Sequence, residues 1–252
     1  MKHQDLTKHL DQATLAKNLV DQADIYANAA CKRIGDGAQD YFRAAYDRYR
    51  AATNLAPEMG RAWFNWGITL GDEARSKSGP VVVNKLTEAN AKFAKAVQID
   101  PNDHGALNSW GNALSDQAEE LSGLEAANKW EEAYSKFEMA MRIKPDCTRT
   151  LSDWGAVLTA ESRVLKGRKS AEKHAEARNK IITAISIDPN DHKALNNWGI
   201  LLSLEAAEFS EPFASNRWDE ANENYEKSAC RNPADYKALS NWGLSLSMEA
   251  SR

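Results

Sequence analysis

The chain has 252 residues, 42% hydrophobic and 27% charged, with a mean hydropathy of −0.62; that balance fits a soluble globular protein and excludes fibres, disorder and a membrane span. A formal net charge of −4 disfavours a nucleic-acid binder that relies on a general positive field. Three cysteines, Cys31, Cys147 and Cys230, cannot all pair and show no C-x-x-C spacing, so they read as reduced thiols rather than a disulfide or zinc framework.

From the N-terminus, MKHQDLTKHLDQ lacks the apolar core of a signal peptide, which predicts a cytoplasmic protein, and residues 1–12 read as a short helical arm with Leu6 and Leu10. Beyond it the chain repeats. Trp-Gly pairs stand at Trp66-Gly67, Trp110-Gly111, Trp154-Gly155, Trp198-Gly199 and Trp242-Gly243, a spacing of 44 residues that Pro57, Pro101, Pro145, Pro189 and Pro233 share. A constant period of this size marks a stacked array of one supersecondary unit. Leu70, Leu114, Leu158, Leu202 and Leu246 form a further column, as do Ala45, Ala89, Ala133, Ala177 and Ala221, and Tyr49, Phe93, Phe137, Ile181 and Tyr225.

Within a unit, Ala62, Trp63, Trp66, Leu70 and Ala74 fall at steps of three and four, as do Leu86, Ala89, Phe93, Ala96 and Ile99. Each unit is therefore two amphipathic helices, predicted at about 19 residues or roughly 28 Å each. Gly35, Gly79, Gly123 and Gly167, with Glu211-Pro212 in the last full unit, mark the turn between them and are expected to end the first helix. Asn102-Asp103, Asn190-Asp191 and Asp235 can cap the next first helix. Gly67 and its equivalents make room for the paired helix, and Trp66 and its equivalents fill the space between helices.

The prediction is one all-α repeat domain over 1–252 with about 11 main helices. Residues 13–57 form a degenerate first repeat, 58–101 the second, 102–145 the third, 146–189 the fourth and 190–233 the fifth. Residues 234–252 form an unpaired first helix that keeps Trp242 and Leu246 where a terminal cap should be polar. That helix is expected to dock on another chain, a second copy included, or to belong to a longer array.

Glu73, Gln117, Glu161, Glu205 and Glu249 lie seven residues after each Trp. Lys85, Lys129, Lys173 and Arg217 follow the turn by the same distance that the first four precede it. An antiparallel hairpin brings such residues to one height, which predicts the pairs Glu73–Lys85, Glu161–Lys173 and Glu205–Arg217, worth about 0.2–1 kcal/mol each if exposed.

The order W-G-x-x-L, then Ala, F-x-x-A and Pro, carried in the second unit by Trp63, Trp66, Gly67, Leu70, Ala89, Phe93, Ala96 and Pro101, resembles the tetratricopeptide repeat (TPR). The unit is about ten residues longer than the family's, which reads as some five residues added to each helix. The resemblance implies a right-handed α-solenoid whose first helices line a concave groove that binds a peptide or helix of a partner protein. Carried over by column, the groove is Arg61, Phe64, Asn65, Ile68, Asn108, Asn112, Arg149, Ser152, Asp153, Lys193, Asn196, Asn197, Lys237 and Asn241. Four of the five residues that open the first helices are basic, so an acidic ligand is the sharper expectation; solvated charges with Asn as filler is the plainer one. Lys193 with Asn197 and Lys237 with Asn241 have the first spacing of the family's carboxylate clamp, but no basic residue takes the later position, so the clamp is not expected.

The function that follows is a non-enzymatic protein–protein interaction adaptor with a protein or peptide partner. The alternative is a structural scaffold subunit using its convex face and open C-terminal helix. RNA binding is disfavoured by charge and unit length. No phosphate loop, H-E-x-x-H or G-x-S-x-G motif occurs, His104 and His192 begin helices two repeats apart, and His174 shares a packing column with Trp130 and Trp218, so neither metal nor cofactor is expected.

Overall fold

A computed structural model of the chain describes residues 2–33, 36–77, 79–208 and 213–251, and gives side-chain surroundings for all of these but 2–10, 36 and 208. Gly35, Glu211 and Pro212 of the expected turn column lie outside the described residues, as do the side chains of Leu6 and Leu10. Eleven helices are described: α1 (Lys2–Cys31), α2 (Asp36–Leu55), α3 (Gly60–Ala74), α4 (Pro80–Ile99), α5 (His104–Glu119), α6 (Gly123–Ile143), α7 (Thr148–Val164), α8 (Arg168–Ile187), α9 (His192–Glu208), α10 (Phe213–Arg231) and α11 (Tyr236–Ala250). No strand occurs among the described residues. The fold is an all-α solenoid of antiparallel helix hairpins, in two compact units, Met1–Ala140 and Met141–Arg252. The expected arm is continuous with the first helix of the degenerate repeat, both lying in α1.

Local chemistry sets the helix ends. Each second helix from α2 to α10 stops within two residues of its column proline, which cannot continue the hydrogen-bond ladder. At the next start, Asp103 accepts from the Ala106 amide at 2.8 Å, Asp191 from Lys193 and Ala194 at 3.0 and 3.2 Å, and Asp235 from Lys237 and Ala238 at 3.1 and 3.2 Å. The turn glycines differ from expectation: Gly79 and Gly167 are N-caps of the second helices, with φ of 68° and 59°, rather than ends of the first. The first helices stop earlier, as at Ala74, where the Ser76 hydroxyl donates to the Glu73 carbonyl at 2.7 Å. The hairpins are consequently unequal, with α3 at 15 residues against 20 in α4, and α7 at 17 against 20 in α8.

The two helices of a hairpin interlock through the glycine of the Trp-Gly pair. A Cβ at Gly67 would stand 2.8 Å from the Phe93 ring, at Gly111 2.8 Å from Phe137, and at Gly199 2.8 Å from Tyr225; Gly155 faces Ile181 in the same way. Ala45, Ala89, Ala133, Ala177 and Ala221, one turn earlier on the second helices, have no exposed surface. The Leu column is buried at Leu70, Leu114, Leu158 and Leu202. Cations from the second helices cover the Trp column: Lys92 lies 3.9 Å from the Trp66 ring centre, Lys136 4.1 Å from Trp110 and Lys180 3.6 Å from Trp154. Burial depresses the pKa of Lys92 in this position.

This interlock separates glycines that look alike in sequence. Gly67→Ala pushes a methyl into a buried ring and is expected to cost about 1–3 kcal/mol. Gly71→Ala and Gly243→Ala, where a Cβ meets nothing within 4 Å, are expected to gain about 0.5–1 kcal/mol, the helix penalty of glycine. Thermal and urea unfolding of the three variants read the difference; equal effects at Gly67 and Gly71 contradict the interlock.

Candidate functional site

The groove positions expected from the repeat fall into two sets, one in each unit. In the first unit, Arg61 at the start of α3 bonds Asp21 and Asp24 of α1 at 2.8 and 2.9 Å. Asn65, one turn on, donates to both oxygens of Asp24 at 2.9 and 3.0 Å, and the Tyr49 hydroxyl of α2 donates to the same carboxylate at 2.6 Å. Asp24 is thus a hub joining α1, α2 and α3. Burial and the bond to Asp24 push the Tyr49 pKa well up, so its hydroxyl remains a donor. Phe64 is taken up in packing, its ring tilted against Phe93 at 6.0 Å between centroids. Asn108 is buried, Asn112 is half-buried, and Ile68 is exposed.

Beside the hub lies a recess of about 190 Å³ lined in part by Asn28, Cys31, Ile68 and Asp72. The Cys31 thiol is directed at Asp72 across 3.8 Å, and burial together with that carboxylate raises its pKa. A thiol held protonated beside an anion is a poor nucleophile.

In the second unit the Asn columns again stitch first helix to first helix. Asn197 of α9 donates to the Ser152 hydroxyl and carbonyl of α7 at 3.0 and 3.1 Å, and Asn241 of α11 donates to Asn196 at 3.2 Å. Ser152 is fully buried and Asp153 half-buried. What this unit presents to solvent are Arg149, Lys193 and Lys237, each exposed near the start of its helix and free of any ion pair among the described residues. Of the fourteen groove positions, these three and Ile68 present open side chains, while Arg61, Asn65, Asn196, Asn197 and Asn241 bond within the protein.

The carboxylate column tightens the scaffold beneath these faces. Lys85 reaches Glu73 at 2.9 Å, Lys173 reaches Glu161 at 3.1 Å and Arg217 reaches Glu205 at 3.5 Å, the three pairs expected from the hairpin register. Their carboxylates are buried rather than exposed: Glu73 has no accessible surface, Glu161 7% and Glu205 9%. A second donor comes from the preceding hairpin, which the charge pattern alone did not reveal. Tyr46 donates to Glu73 at 2.6 Å, Asn90 to Gln117 at 2.8 Å, Arg178 to Glu205, and Asn222 to Glu249 at 3.0 Å. The signal was present in sequence, since positions 46, 90, 134, 178 and 222 hold Tyr, Asn, Tyr, Arg and Asn, polar at every 44-residue step. Where Gln117 replaces the acid its amide donates to Thr87 at 2.8 Å, and Lys129 pairs with Glu132 instead. Burial alone would raise the Glu73 pKa, but the bonds from Tyr46, Lys85 and Gln39 outweigh it and hold the carboxyl below its ordinary value.

Among the described residues no three His, Cys, Asp or Glu side chains converge as metal ligands, and no helix is long and apolar enough to cross a membrane. No protein-family model and no curated protein matches the chain. Among solved structures it is similar to TTC0263, a thermophilic TPR protein of Thermus thermophilus, at a TM-score of 0.63 and 15% identity over 92% of this chain and 98% of that one. The chain has the tetratricopeptide-repeat fold. PilF of Pseudomonas aeruginosa is a further structural neighbour, with a TM-score of 0.53 and 17% identity over 93% of this chain and 90% of that one. These likenesses show the fold of the chain.

The buried carboxylates supply a pH test. Lys85→Met leaves Glu73 charged and buried beside two neutral donors, a change expected to cost about 3–5 kcal/mol at pH 7. Because the folded Glu73 pKa is depressed, its contribution is present above the unfolded value of about 4.3 and lost as pH falls through the folded value. The gap between wild type and variant should therefore narrow below about pH 4, measured by urea unfolding at pH 7, 5 and 3.5. A gap constant with pH excludes the ion pair as its source.

Proposed function

We propose that the chain is a non-enzymatic protein–protein interaction module that holds an acidic segment of a partner along the open ends of α7, α9 and α11. The observation that carries this reading is the row Arg149, Lys193 and Lys237: one cation near the start of each of α7, α9 and α11, all exposed, all without an internal partner among the described residues. Beneath them the Asn197–Ser152 and Asn241–Asn196 bonds hold the three helices in register, so the cations are presented at a repeat that an extended chain can follow. The first unit does not extend the row, because Arg61 is neutralised by Asp21 and Asp24. Adaptor function, rather than catalysis, agrees with a Cys31 thiol held protonated and carboxylates committed to structural pairs.

The scaffold-subunit reading is favoured by a separate observation, the exposed apolar side chains of α11, among them Leu239, Leu244 and Leu246. Charge reversal separates the two. Affinity capture from a lysate of the source organism is compared for wild type and for Arg149→Glu, Lys193→Glu, Lys237→Glu. Proteins held through the basic row should drop at least tenfold in the variant and elute from wild type at moderate salt, as screened charge pairs do. Unchanged recovery refutes the row and leaves the scaffold reading.

A further inference from the structure

The tip of the α7–α8 hairpin carries a charge that the repeat does not explain. Residues 163–169 read Arg-Val-Leu-Lys-Gly-Arg-Lys, four cations and no acid. The equivalent segments at steps of 44 residues, 31–37, 75–81, 119–125 and 207–213, carry net charges of +1, +2, −3 and −2. Packing columns recur in every unit, so a charge found in one alone answers to something other than the stacking of hairpins. The contrast with the rest of the chain is larger still. The whole is −4 and this segment +4, which leaves −8 on the other residues.

The local helix chemistry does not call for these cations either. Gly167 is the N-cap of α8 and offers no side-chain acceptor, and Arg168 and Lys169 open a first turn that holds no acid. Positive charge there opposes the helix dipole. Ion pairing takes up little of it. Arg168 bonds Glu172 at 2.8 Å while 91% of its side chain stays exposed, and Arg163, Lys166 and Lys169 are exposed and in no ion pair among the described residues.

Apolar side chains stand among the cations. Val164, the last residue of α7, is 69% exposed beside Arg163, and Phe213, the first residue of α10 and the column counterpart of Lys169 in the next hairpin, is 67% exposed. Tips of neighbouring hairpins lie along one edge of a solenoid, so these apolar groups and the four cations share an edge of the second unit. Cations that meet phosphate headgroups while a Val or Phe enters the acyl boundary suit a lipid surface. A soluble polyanion would use the cations but give Val164 nothing to enter.

We propose that this edge docks the protein on the surface of an anionic lipid bilayer, with 163–169 as the main contact. The negative remainder of the chain turns the tip toward such a surface before contact, because like charge repels the other faces. Arg149, near the other end of α7, is roughly 21 Å from Arg163 along the helix, so the site is separate from the row Arg149, Lys193 and Lys237 and does not rest on it.

The test is co-sedimentation of the full chain with vesicles of phosphatidylcholine alone and of phosphatidylcholine with about 30% phosphatidylserine. Binding is expected to the second kind only, and to be lost as salt rises to about 0.5 M. Lys166→Glu, Lys169→Glu should weaken it by about tenfold or more while melting no lower than wild type, since the second change places an acid in the first turn of α8. Val164→Ser should weaken it by about threefold or more with no change of charge. The Arg149→Glu, Lys193→Glu chain should bind as wild type does, which separates the tip from the row. No sedimentation with the anionic vesicles at about 1 mM lipid, equal recovery on the neutral ones, or an equal loss in the Arg149/Lys193 variant overturns the proposal. So does binding that the Lys166/Lys169 change abolishes and Val164→Ser leaves intact, since the tip would then serve a soluble polyanion.

Discussion

Everything in this fold depends on how closely the two helices of a hairpin approach, and that distance is set where a ring or Ile of one helix lies on a glycine of the other. Phe93, Phe137 and Tyr225 occupy the space that a Cβ at Gly67, Gly111 and Gly199 would need, and Ile181 does the same at Gly155. With the backbones at this distance, the Ala column is sealed from solvent, and a second-helix Lys covers the Trp beside the Gly at Trp66, Trp110 and Trp154. A tryptophan and a glycine adjacent in sequence therefore have opposite tasks. One fills volume, the other vacates it, and the 44-residue spacing of the pair repeats the hairpin geometry along the chain.

The carboxylate column is the second constraint and follows from the first. Once the hairpin is closed, Glu73 has no water, so its charge must be met by the protein. Lys85 comes from the same hairpin and Tyr46 from the preceding one, so one side chain ties two neighbours together. Gln117 supports this reading. Without a charge it needs no cation, and Lys129 turns to Glu132 while Thr87 and Asn90 satisfy the amide.

Periodicity made the hairpins, the close approach at the column Gly and the Glu–Lys register legible from the residues alone, because each depends on spacing within one unit, but not that Phe93 and its equivalents are what Gly67 and its equivalents make room for. Burial was less legible. A Glu in an otherwise soluble pattern reads as exposed, and only the assembled hairpins show that Glu73 has no accessible surface. The first-unit groove was misleading for a related reason: Arg61 looks like its basic counterparts by column, but the degenerate first repeat places Asp21 and Asp24 opposite it. Those acids carry no periodic signal. The turn glycines were readable as turns but not as N-caps, since sequence gives the need for positive φ without saying which helix uses it.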